Sequence, residues 1–318
     1  MTLWDKLPKP IFSLAPMEDV TNTVFRRIIL SCGRPDVFFT EFTNVDGLYS
    51  AGKEQVAKRL QFSKEEKPIV AQIWGIKPEN YYKGAKDIVA MGFDGIDINM
   101  GCPQSDVIKK GYCAALINNH TLAKEIIQAT QEGSNGKIPV SIKTRLGIKR
   151  NQREEWIGFL LDQQLAVITI HGRTVAEMSK VPAHWNEIGN VVTMRNKMRS
   201  NTLIFGNGDI QNLKEAREKV TQYGVDGIMI GRGIFHNPWL FNENIRPEEK
   251  TVHERMTLLL QHIHLFKETW GDTRPFAVLK KYFKIYLSGF EGAGELRVKF
   301  METNTLVEAE NLAQHILS

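Results

Sequence analysis

Eight short apolar runs between residues 11 and 233 constrain the fold of this chain more than any other feature of its sequence. Each run is rich in β-branched or aromatic residues and is followed by a longer segment with helical spacing or turn residues. Successive runs begin 24 to 44 residues apart, which is enough chain for a strand, a crossover helix and two loops. The runs are IFSLAPM from Ile11, VFFTEF from Val37, IVAQIWG from Ile69, GIDINMGCP from Gly95, PVSIKTRLG from Pro139, VITIHGR from Val167, LIFGNGD from Leu203 and GIMIGRG from Gly227. Eight such units predict an α/β protein with a (β/α)8 TIM barrel.

The segments between the runs support the barrel. Residues 78–91 predict a helix that begins with a proline and ends before Gly92, and residues 119–129 carry an apolar helical face. The alternative is an open, doubly wound sheet, which usually has a GxGxxG turn after its first strand. The run from Ile11 to Met17 is not followed by such a turn, so the barrel is favoured.

The pattern changes after Asn244, where strand-like runs stop and helical spacing takes over. Two apolar stripes follow at this spacing, formed by Leu259, Ile263, Phe266 and Trp270 and by Leu279, Tyr282, Phe283, Tyr286 and Leu287. The polar stretch 246–250 contains a proline and is typical of a linker. We therefore predict a catalytic barrel over residues 1–244 and a small helical domain over residues 245–318.

Composition excludes several classes of protein. The chain has 318 residues, 42% hydrophobic and 24% charged, which is typical of a globular protein with a large core. Its net charge of +5 is compatible with a polyanionic partner without requiring one. No apolar stretch approaches the roughly 18 residues that span a membrane, and no Cys/His spacing suits zinc. Three cysteines and an N-terminus unlike a signal peptide lead us to expect a cytoplasmic protein with reduced thiols, as a monomer without metal.

Polar or special residues stand at the C-terminal end of nearly every apolar run. They are Pro16, Glu41, Gln72, Asn99, Lys143, His171, Asn207 and Arg232. A barrel brings all of these ends to one face, where the active sites of the fold are built. Any one of them alone could be a solvated loop residue, but eight together predict an active site.

Two glycine-rich loops end the last two runs, at residues 206–209 and 231–233. Small residues let backbone N–H groups approach an anion, and Arg232 adds charge, so these loops predict a phosphate-bearing cofactor such as a mononucleotide. Tight turns with positive φ are the alternative. Lys143, Gln72 and His171 would then lie beside the aromatic part of that cofactor and would suit a flavin. Alternatively, Lys143 could form a Schiff base, as in aldolases.

The longest gap separates the fourth and fifth runs and contains two cysteines. Cys102 lies between a glycine and a proline, and an ordinary thiol is mostly protonated at neutral pH, so Cys102 is a candidate general acid. A nucleophilic Cys102 would need a base, for which His171 is the candidate, and an inert buried cysteine is the third possibility. Cys113 stands in an apolar stretch and is expected to be buried and inert.

Basic and aromatic residues alternate in the helical region, where Lys280, Lys281 and Lys284 surround Tyr282 and Phe283. This combination suits RNA backbone and bases. Acidic and basic residues are equally numerous from residue 245 onward, so a solvated helix face is the alternative.

Several of these segments together resemble the tRNA-dihydrouridine synthase family over nearly the whole chain. The resemblance is carried by Ala15-Pro16-Met17, Val20-Thr21-Asn22, Phe25-Arg26, Thr40-Glu41, Gln72, Asp97-Ile98-Asn99-Met100-Gly101-Cys102-Pro103, Lys143-Thr144-Arg145-Leu146-Gly147, His171-Gly172-Arg173-Thr174, Gly206-Asn207-Gly208-Asp209-Ile210 and Gly231-Arg232-Gly233. The Asn-x-Gly-Cys-Pro segment is the most specific of them.

The resemblance implies an FMN-dependent oxidoreductase, reduced by NADPH, that reduces the C5–C6 double bond of specific uridines in tRNA. Hydride would pass from flavin N5 to uracil C6, and Cys102 would give a proton to C5. Asn99 and Arg145 would hold the uracil, and the helical domain, with Lys280, Lys281, Lys284 and Arg297, would bind tRNA. The FMN would be held by Pro16, Met17, Glu18, Gln72, Lys143, His171, Asn207, Gly208, Asp209, Gly231 and Arg232.

The chain departs from the family at Cys113, where a glycine is common, and in the stretch after Thr174. Two other enzymes remain as alternatives to the tRNA-modifying one. A flavin barrel that reduces a free pyrimidine or an enone would use the same FMN pocket, and a Schiff-base aldolase would use Lys143. An RNA-binding protein with an inactive barrel is disfavoured by the intact set of residues at the strand ends.

Overall fold

A computed structural model describes residues 2–318, and its main feature is one sheet of parallel strands. Within residues 2–318 the strands are β1 (Ile11–Leu14), β2 (Phe38–Phe39), β3 (Thr43–Asn44), β4 (Ile69–Trp74), β5 (Gly95–Met100), β6 (Val140–Arg145), β7 (Val167–His171), β8 (Leu203–Asn207) and β9 (Gly227–Ile230). Their order in the sheet is β1-β9-β8-β7-β6-β5-β4-β2, and β3 pairs separately with β4. Each predicted apolar run contains one strand of this order.

The sheet closes into a barrel between its first and last strands. Ser13 of β1 forms a parallel bridge with Val37, and the N–H of Asp36 donates a 2.9 Å hydrogen bond to the carbonyl of Phe12. The predicted (β/α)8 barrel is therefore confirmed, and the doubly wound sheet is excluded. The short strand β3, which the sequence pattern did not predict, extends the β2 side of the barrel alongside β4.

Helices follow the strands on the outside of the barrel and continue beyond it. They are α1 (Leu3–Lys6), α2 (Thr23–Cys32), α3 (Val45–Leu48), α4 (Lys53–Ala57), α5 (Pro78–Ala90), α6 (Ser105–Lys109), α7 (His120–Ser134), α8 (Gly158–Leu161), α9 (Trp185–Lys197), α10 (Leu213–Tyr223), α11 (Val252–Trp270), α12 (Ala277–Lys280), α13 (Phe283–Tyr286), α14 (Ala293–Glu302) and α15 (Leu306–Leu317). Helix α5 has its proline in the first turn, and the side chain of Asn119 caps α7, so both helices predicted between the runs are confirmed.

The register of the strands brings polar side chains to one level at the C-terminal face. Arg145 on β6 lies opposite His171 on β7, which in turn lies opposite Asn207 on β8. On the other side of β6, Lys143 pairs with Asn99 of β5. The opposite end of the barrel is closed by Trp4, whose ring packs edge-on against Phe205 at 5.6 Å between ring centroids. The polar face is therefore the open end of the barrel.

The helical region after β9 packs directly on the barrel. Helix α11 contacts α2, and the rings of Phe25, His262 and Tyr282 meet at this junction. The two predicted apolar stripes are buried here, and one hydrophobic core runs from the barrel into the helices. The division into domains at residues 244 and 245 remains a prediction. Within residues 2–318, no helix has both the length and the apolar character that crossing a bilayer requires.

Candidate active site

Two adjoining cavities open at the C-terminal face of the barrel, and Pro16 and Lys143 line both of them. The first has a volume of about 160 Å³ and the second about 430 Å³, so together they fall in the range of small-molecule sites. The first cavity is also lined by Ala15, Met17, His171, Asn207, Gly208, Asp209, Ile210, Gln211, Met229, Gly231, Arg232 and Gly233. The second is also lined by Glu18, Phe42, Gln72, Trp74, Asn99, Gly101, Cys102, Pro103, Gln104, Val107 and Arg145.

The first cavity has the chemistry of an anion site. Gly208 has φ +131° there, and a Cβ at this position would lie 2.7 Å from the Cβ of Ala183, so a side chain is excluded. The guanidinium of Arg232 lies at the rim, 3.4 Å from the carboxylate of Asp209. Glycine backbone and a nearby arginine together suit a phosphate group.

Arg173 is a buried cation beneath this cavity that was not among the predicted site residues. It forms an ion pair with Asp209, whose carboxylate also accepts a 2.8 Å hydrogen bond from the N–H of Ala183. Partial burial alone would raise the pKa of Asp209, but the hydrogen bonds from Arg173 and Ala183 lower it overall. The charge of Asp209 is therefore held in place, although its φ of +59° is unusual for a residue with a side chain.

Lys143 stands between the two cavities and is fixed by Asn207. Its Nζ donates a 3.1 Å hydrogen bond to Asn207 Oδ1, and Asn207 Nδ2 donates a 2.7 Å bond to the carbonyl of Met229. Burial, together with the nearby charge of Arg145, lowers the pKa of Lys143 to about 8. An anion beside Lys143 would favour its charged form.

His171 lies next to Lys143 with an imidazole nitrogen that has no partner. Its Nδ1 is buried and makes no hydrogen bond within residues 2–318. Burial and four surrounding cations, Lys143, Arg145, Arg173 and Arg232, push the pKa of His171 far below its ordinary value, so the ring is neutral. A neutral imidazole surrounded by cations is well suited to an anionic ligand that accepts a hydrogen bond.

A row of amide side chains crosses the floor of the second cavity. Gln72 Nε2 donates to a carboxylate oxygen of Asp97 at 2.7 Å, and Asn99 Nδ2 donates to Gln72 Oε1 at 3.1 Å. Asn99 Oδ1 then accepts hydrogen bonds from the N–H groups of Gly101 and Cys102, at 3.1 and 3.0 Å. The row therefore links β4 and β5 to the loop that carries Cys102.

Arg145 forms a second support for the same loop. Its Nε donates a 2.9 Å bond to the carbonyl of Gly101, and its Nη1 donates a 3.1 Å bond to the carbonyl of Thr174. Nη2 makes no hydrogen bond within residues 2–318, so it can donate to a ligand in the second cavity, which Arg145 lines. Burial lowers the pKa of this guanidinium to about 10, which leaves it charged at neutral pH.

The thiols of Cys102 and Cys113 lie close enough to influence each other's pKa, which the sequence pattern did not predict. The Cys113 thiol stabilises the Cys102 thiolate and so lowers the pKa of Cys102 to about 7, against the opposing effect of burial. Cys113 is buried, as expected, and its own pKa is raised. Its φ of +52° lies in the left-handed region that favours glycine. That backbone conformation fits the glycine that the resemblance leads one to expect at this position.

The walls of the second cavity include aromatic residues that were not among the predicted site residues. Phe42 and Trp74 line it, together with Val107 from α6, and these apolar groups can hold a planar ring. Glu18 lies here as well, paired with Arg59 through one carboxylate oxygen, and burial raises the pKa of Glu18. Aromatic residues near strand ends were the available clue, but any of them could equally have belonged to the core.

The predicted RNA-binding residues of the helical region have different surroundings. Lys280 donates to the carbonyl of Met301 at 2.7 Å, and Lys281 donates to the carbonyl of Asp19 at 2.6 Å. Lys284 is exposed to solvent, while Arg297 donates to a carbonyl at 3.3 Å. Their role in binding RNA remains a prediction. Residues 2–318 contain no cluster of three or more His, Cys, Asp or Glu side chains that could hold a metal ion.

Comparison with known proteins gives a family match over most of the chain. The family model described as dihydrouridine synthase (Dus) matches residues 13–318. A protein of Staphylococcus aureus (strain MRSA252) named probable tRNA-dihydrouridine synthase is 46% identical over 312 residues, which are 97% of this chain and 94% of that protein. Probable tRNA-dihydrouridine synthase 2 of Bacillus subtilis (strain 168) has the same identity and coverage.

Solved structures with a similar fold are much more distant in sequence. Morphinone reductase has a TM-score of 0.54 and 12% identity, over 76% of this chain and 86% of that chain. Histamine dehydrogenase from Rhizobium sp. 4-9 has a TM-score of 0.57 and 12% identity, over 80% of this chain and 48% of that chain. At such identities the similarity concerns the fold alone, and it agrees with the barrel described above.

Proposed function

Because this chain belongs to the dihydrouridine synthase family, we propose that it is a tRNA-dihydrouridine synthase, an FMN-dependent oxidoreductase that reduces the C5–C6 double bond of uridines in tRNA. NADPH as the reductant, a monomeric state and a cytoplasmic location belong to the same proposal. The relatives are named as probable tRNA-dihydrouridine synthases. The polar face of the barrel supports the proposal with an anion site and a thiol.

The residues that line the first cavity, together with Gln72 of the second cavity, fit FMN. Backbone at Gly208 and Gly231, with Arg232, would bind the phosphate, and the unpartnered His171 Nδ1 would donate to an anionic or polar edge of the flavin ring. Lys143 would offset negative charge on the ring, while Gln72 keeps one N–H free for it. Pro16, Met17, Glu18, Asn207 and Asp209 complete the proposed set. When bound, FMN supplies hydride to uracil C6 and is reduced again by NADPH.

The second cavity would receive the uracil. The aromatic and aliphatic walls would enclose a base flipped out of the tRNA, while Asn99 and the free Nη2 of Arg145 would hold its polar edge. Cys102 would donate its thiol proton to C5. The hydrogen bond from Cys113 and the charge of Arg145 stabilise the thiolate left behind, which favours this transfer.

One observation carries the proposal: a thiol with a pKa of about 7 lines the same cavity as Asn99 and Arg145, next to a glycine-lined anion site. In the family's reaction such a thiol would act as general acid. The helical region, with Lys280, Lys281, Lys284 and Arg297, would supply the contacts to the tRNA backbone.

The decisive experiment incubates purified protein with NADPH and unmodified tRNA transcripts, digests the RNA and measures uridine by mass spectrometry. A gain of two hydrogens in uridine from one tRNA loop is the expected result. A yellow protein that oxidises NADPH without changing native or transcribed tRNA would instead indicate a small-molecule flavin reductase. A colourless protein that binds no added FMN would refute the flavin chemistry.

A further inference from the structure

Asp97 is a buried carboxylate that neither cavity exposes, in the middle of strand β5. Its side chain is fully buried, on the face of β5 opposite to Ile96 and Ile98, where it meets Gln72 of β4 and Ser141 of β6. One oxygen accepts a 2.7 Å hydrogen bond from Ser141 Oγ, and the other accepts a 2.7 Å bond from Gln72 Nε2. It forms no ion pair within residues 2–318, and burial raises its pKa to about 6, although the two hydrogen bonds and the charge of nearby Lys143 offset part of this effect, so the carboxylate is ionised at neutral pH.

The carboxylate at one end of the row and the two loop N–H groups at the other end together determine the direction of each hydrogen bond between them. An ionised carboxylate can only accept, so Gln72 must turn its N–H group toward Asp97 and its oxygen toward Asn99. Asn99 must then turn its own N–H group toward Gln72. Its oxygen is left facing the two backbone N–H groups of Gly101 and Cys102.

We infer that Asp97 is a positioning residue for Cys102, which it reaches through Gln72 and Asn99 by fixing the orientation of both amides. The inference rests on the proposed function, because it matters for catalysis only if Cys102 is the acid. Without an acceptor at residue 97, Gln72 gains by rotating toward another partner. The N–H group of Asn99 then loses its acceptor on Gln72, so the amide that accepts from the two loop N–H groups is held less firmly.

The main measurement of the test is the hydrogen exchange of the loop backbone, and activity is the second measurement. Protein grown with ¹⁵N-cysteine gives three amide signals, of which Cys32 in α2 serves as the internal reference. In the Asp97→Ala variant we expect the hydrogen exchange of the Cys102 amide to rise about tenfold relative to that of Cys32. We also expect kcat for uridine reduction to fall, with bound flavin retained.

Two matched variants separate this effect from general destabilisation. In Asp97→Asn, the oxygen of the new amide can accept from Gln72 while its N–H donates to Ser141, whose hydroxyl lies 3.2 Å from the carbonyl of Ile96 and donates there. Ser141→Ala removes a hydrogen bond to the same carboxylate without touching the row. Both variants should stay within about twofold of wild-type exchange at Cys102.

A double-variant cycle tests the route through residue 99. In Asn99→Asp, a carboxylate at residue 99 can only accept, so it faces the loop N–H groups whichever way Gln72 turns, and adding Asp97→Ala should change Cys102 exchange by less than about twofold. If Asp97→Ala alone does not fold, folding of the double variant supports the inference, and failure of both overturns it. An equal rise in both backgrounds also overturns it, as does no rise in Asp97→Ala.

The two readouts distinguish failure of this inference from failure of the proposed function. Loss of uridine reduction with unchanged Cys102 exchange would overturn the positioning role while leaving the proposed function intact. Faster Cys102 exchange with full uridine reduction would keep the structural link but refute Cys102 as the acid.

Discussion

The side-chain amide of Asn22 donates a 2.7 Å hydrogen bond to the phenol oxygen of Tyr282, although the two residues lie 260 positions apart. The Tyr282 hydroxyl in turn donates to the carbonyl of Val20 at 2.7 Å, and Asn22 Oδ1 caps helix α2 through the N–H of Phe25. A buried tyrosine of the helical region thus holds the loop after β1. The first part of this loop, Pro16 to Glu18, lines the two cavities.

Tyr282→Phe should therefore destabilise the protein and weaken its flavin binding. The change removes only a hydroxyl, but it leaves the buried Asn22 amide and the Val20 carbonyl without their partner, at a cost of roughly 1–3 kcal/mol. Chemical denaturation and titration of the apoprotein with FMN measure the two effects. Tyr223→Phe is the control, since the Tyr223 hydroxyl has no hydrogen-bond partner within residues 2–318. Equal stabilities of the two variants would contradict the prediction.

Cys102→Ala should retain bound flavin and lose most uridine reduction. Removal of a general acid lowers the rate by roughly 10²–10⁴-fold, whereas the proposed FMN contacts lie mainly in the other cavity. The ratio of flavin absorbance to protein absorbance and the rate of dihydrouridine formation are the measurements. Cys32→Ala, which removes a buried thiol of α2, should keep its activity. Full turnover by Cys102→Ala would exclude this thiol as the proton donor.

The barrel and the face that carries the site could be predicted because both depend on local patterns. Each strand is a short apolar run with a turn after it, and a barrel places the ends of parallel strands together whatever the loops do. The two-residue strand β3 was missed, since Thr43 and Asn44 form no apolar run and are extended only through pairing with β4.

Contacts between distant segments could not be predicted in the same way. The burial of Arg173, its pairing with Asp209 and the contact of Cys113 with Cys102 depend on how loops fold over the barrel mouth. The orientation of the Gln72 amide depends on a carboxylate one strand away, and no spacing along the chain encodes it. Sequence periodicity predicts which residues reach the site, whereas the partners of each side chain require coordinates.

Lys284→Glu should weaken tRNA binding without disturbing the fold, unlike replacement of Lys280 or Lys281. Lys280 and Lys281 donate to backbone carbonyls, so their replacement would also disturb the fold, while Lys284 is exposed. Affinity falls as salt rises, and loss of one phosphate contact should make the slope of log affinity against log salt less steep by about one. Filter binding across salt concentrations measures it, with Lys124→Glu on α7 as the control. Unchanged affinity and slope would assign Lys284 to an ordinary solvated surface.

The pH dependence of uridine reduction should be set by the pair of thiols. A general acid must be protonated, so activity should be present below the Cys102 pKa of about 7 and lost as pH rises through it. Cys113→Gly removes the hydrogen bond that lowers this pKa, so the pKa should return toward its ordinary value of 9.0 and the loss should move to higher pH. Glycine also suits the φ of +52° at this position, so the variant should fold.

Cys113→Ser is the matched control for this shift, because its hydroxyl can still donate to the Cys102 sulfur. Its pH profile of kcat/KM should lie close to that of the wild type, while the profile of Cys113→Gly extends to higher pH. Ultraviolet absorbance of the thiolate, followed against pH, reports the Cys102 pKa without turnover. If Cys113→Gly shifts the thiolate titration but not the rate profile, Cys102 is not the group whose protonation limits the reaction. If neither moves, the hydrogen bond between the two thiols does not control the Cys102 pKa.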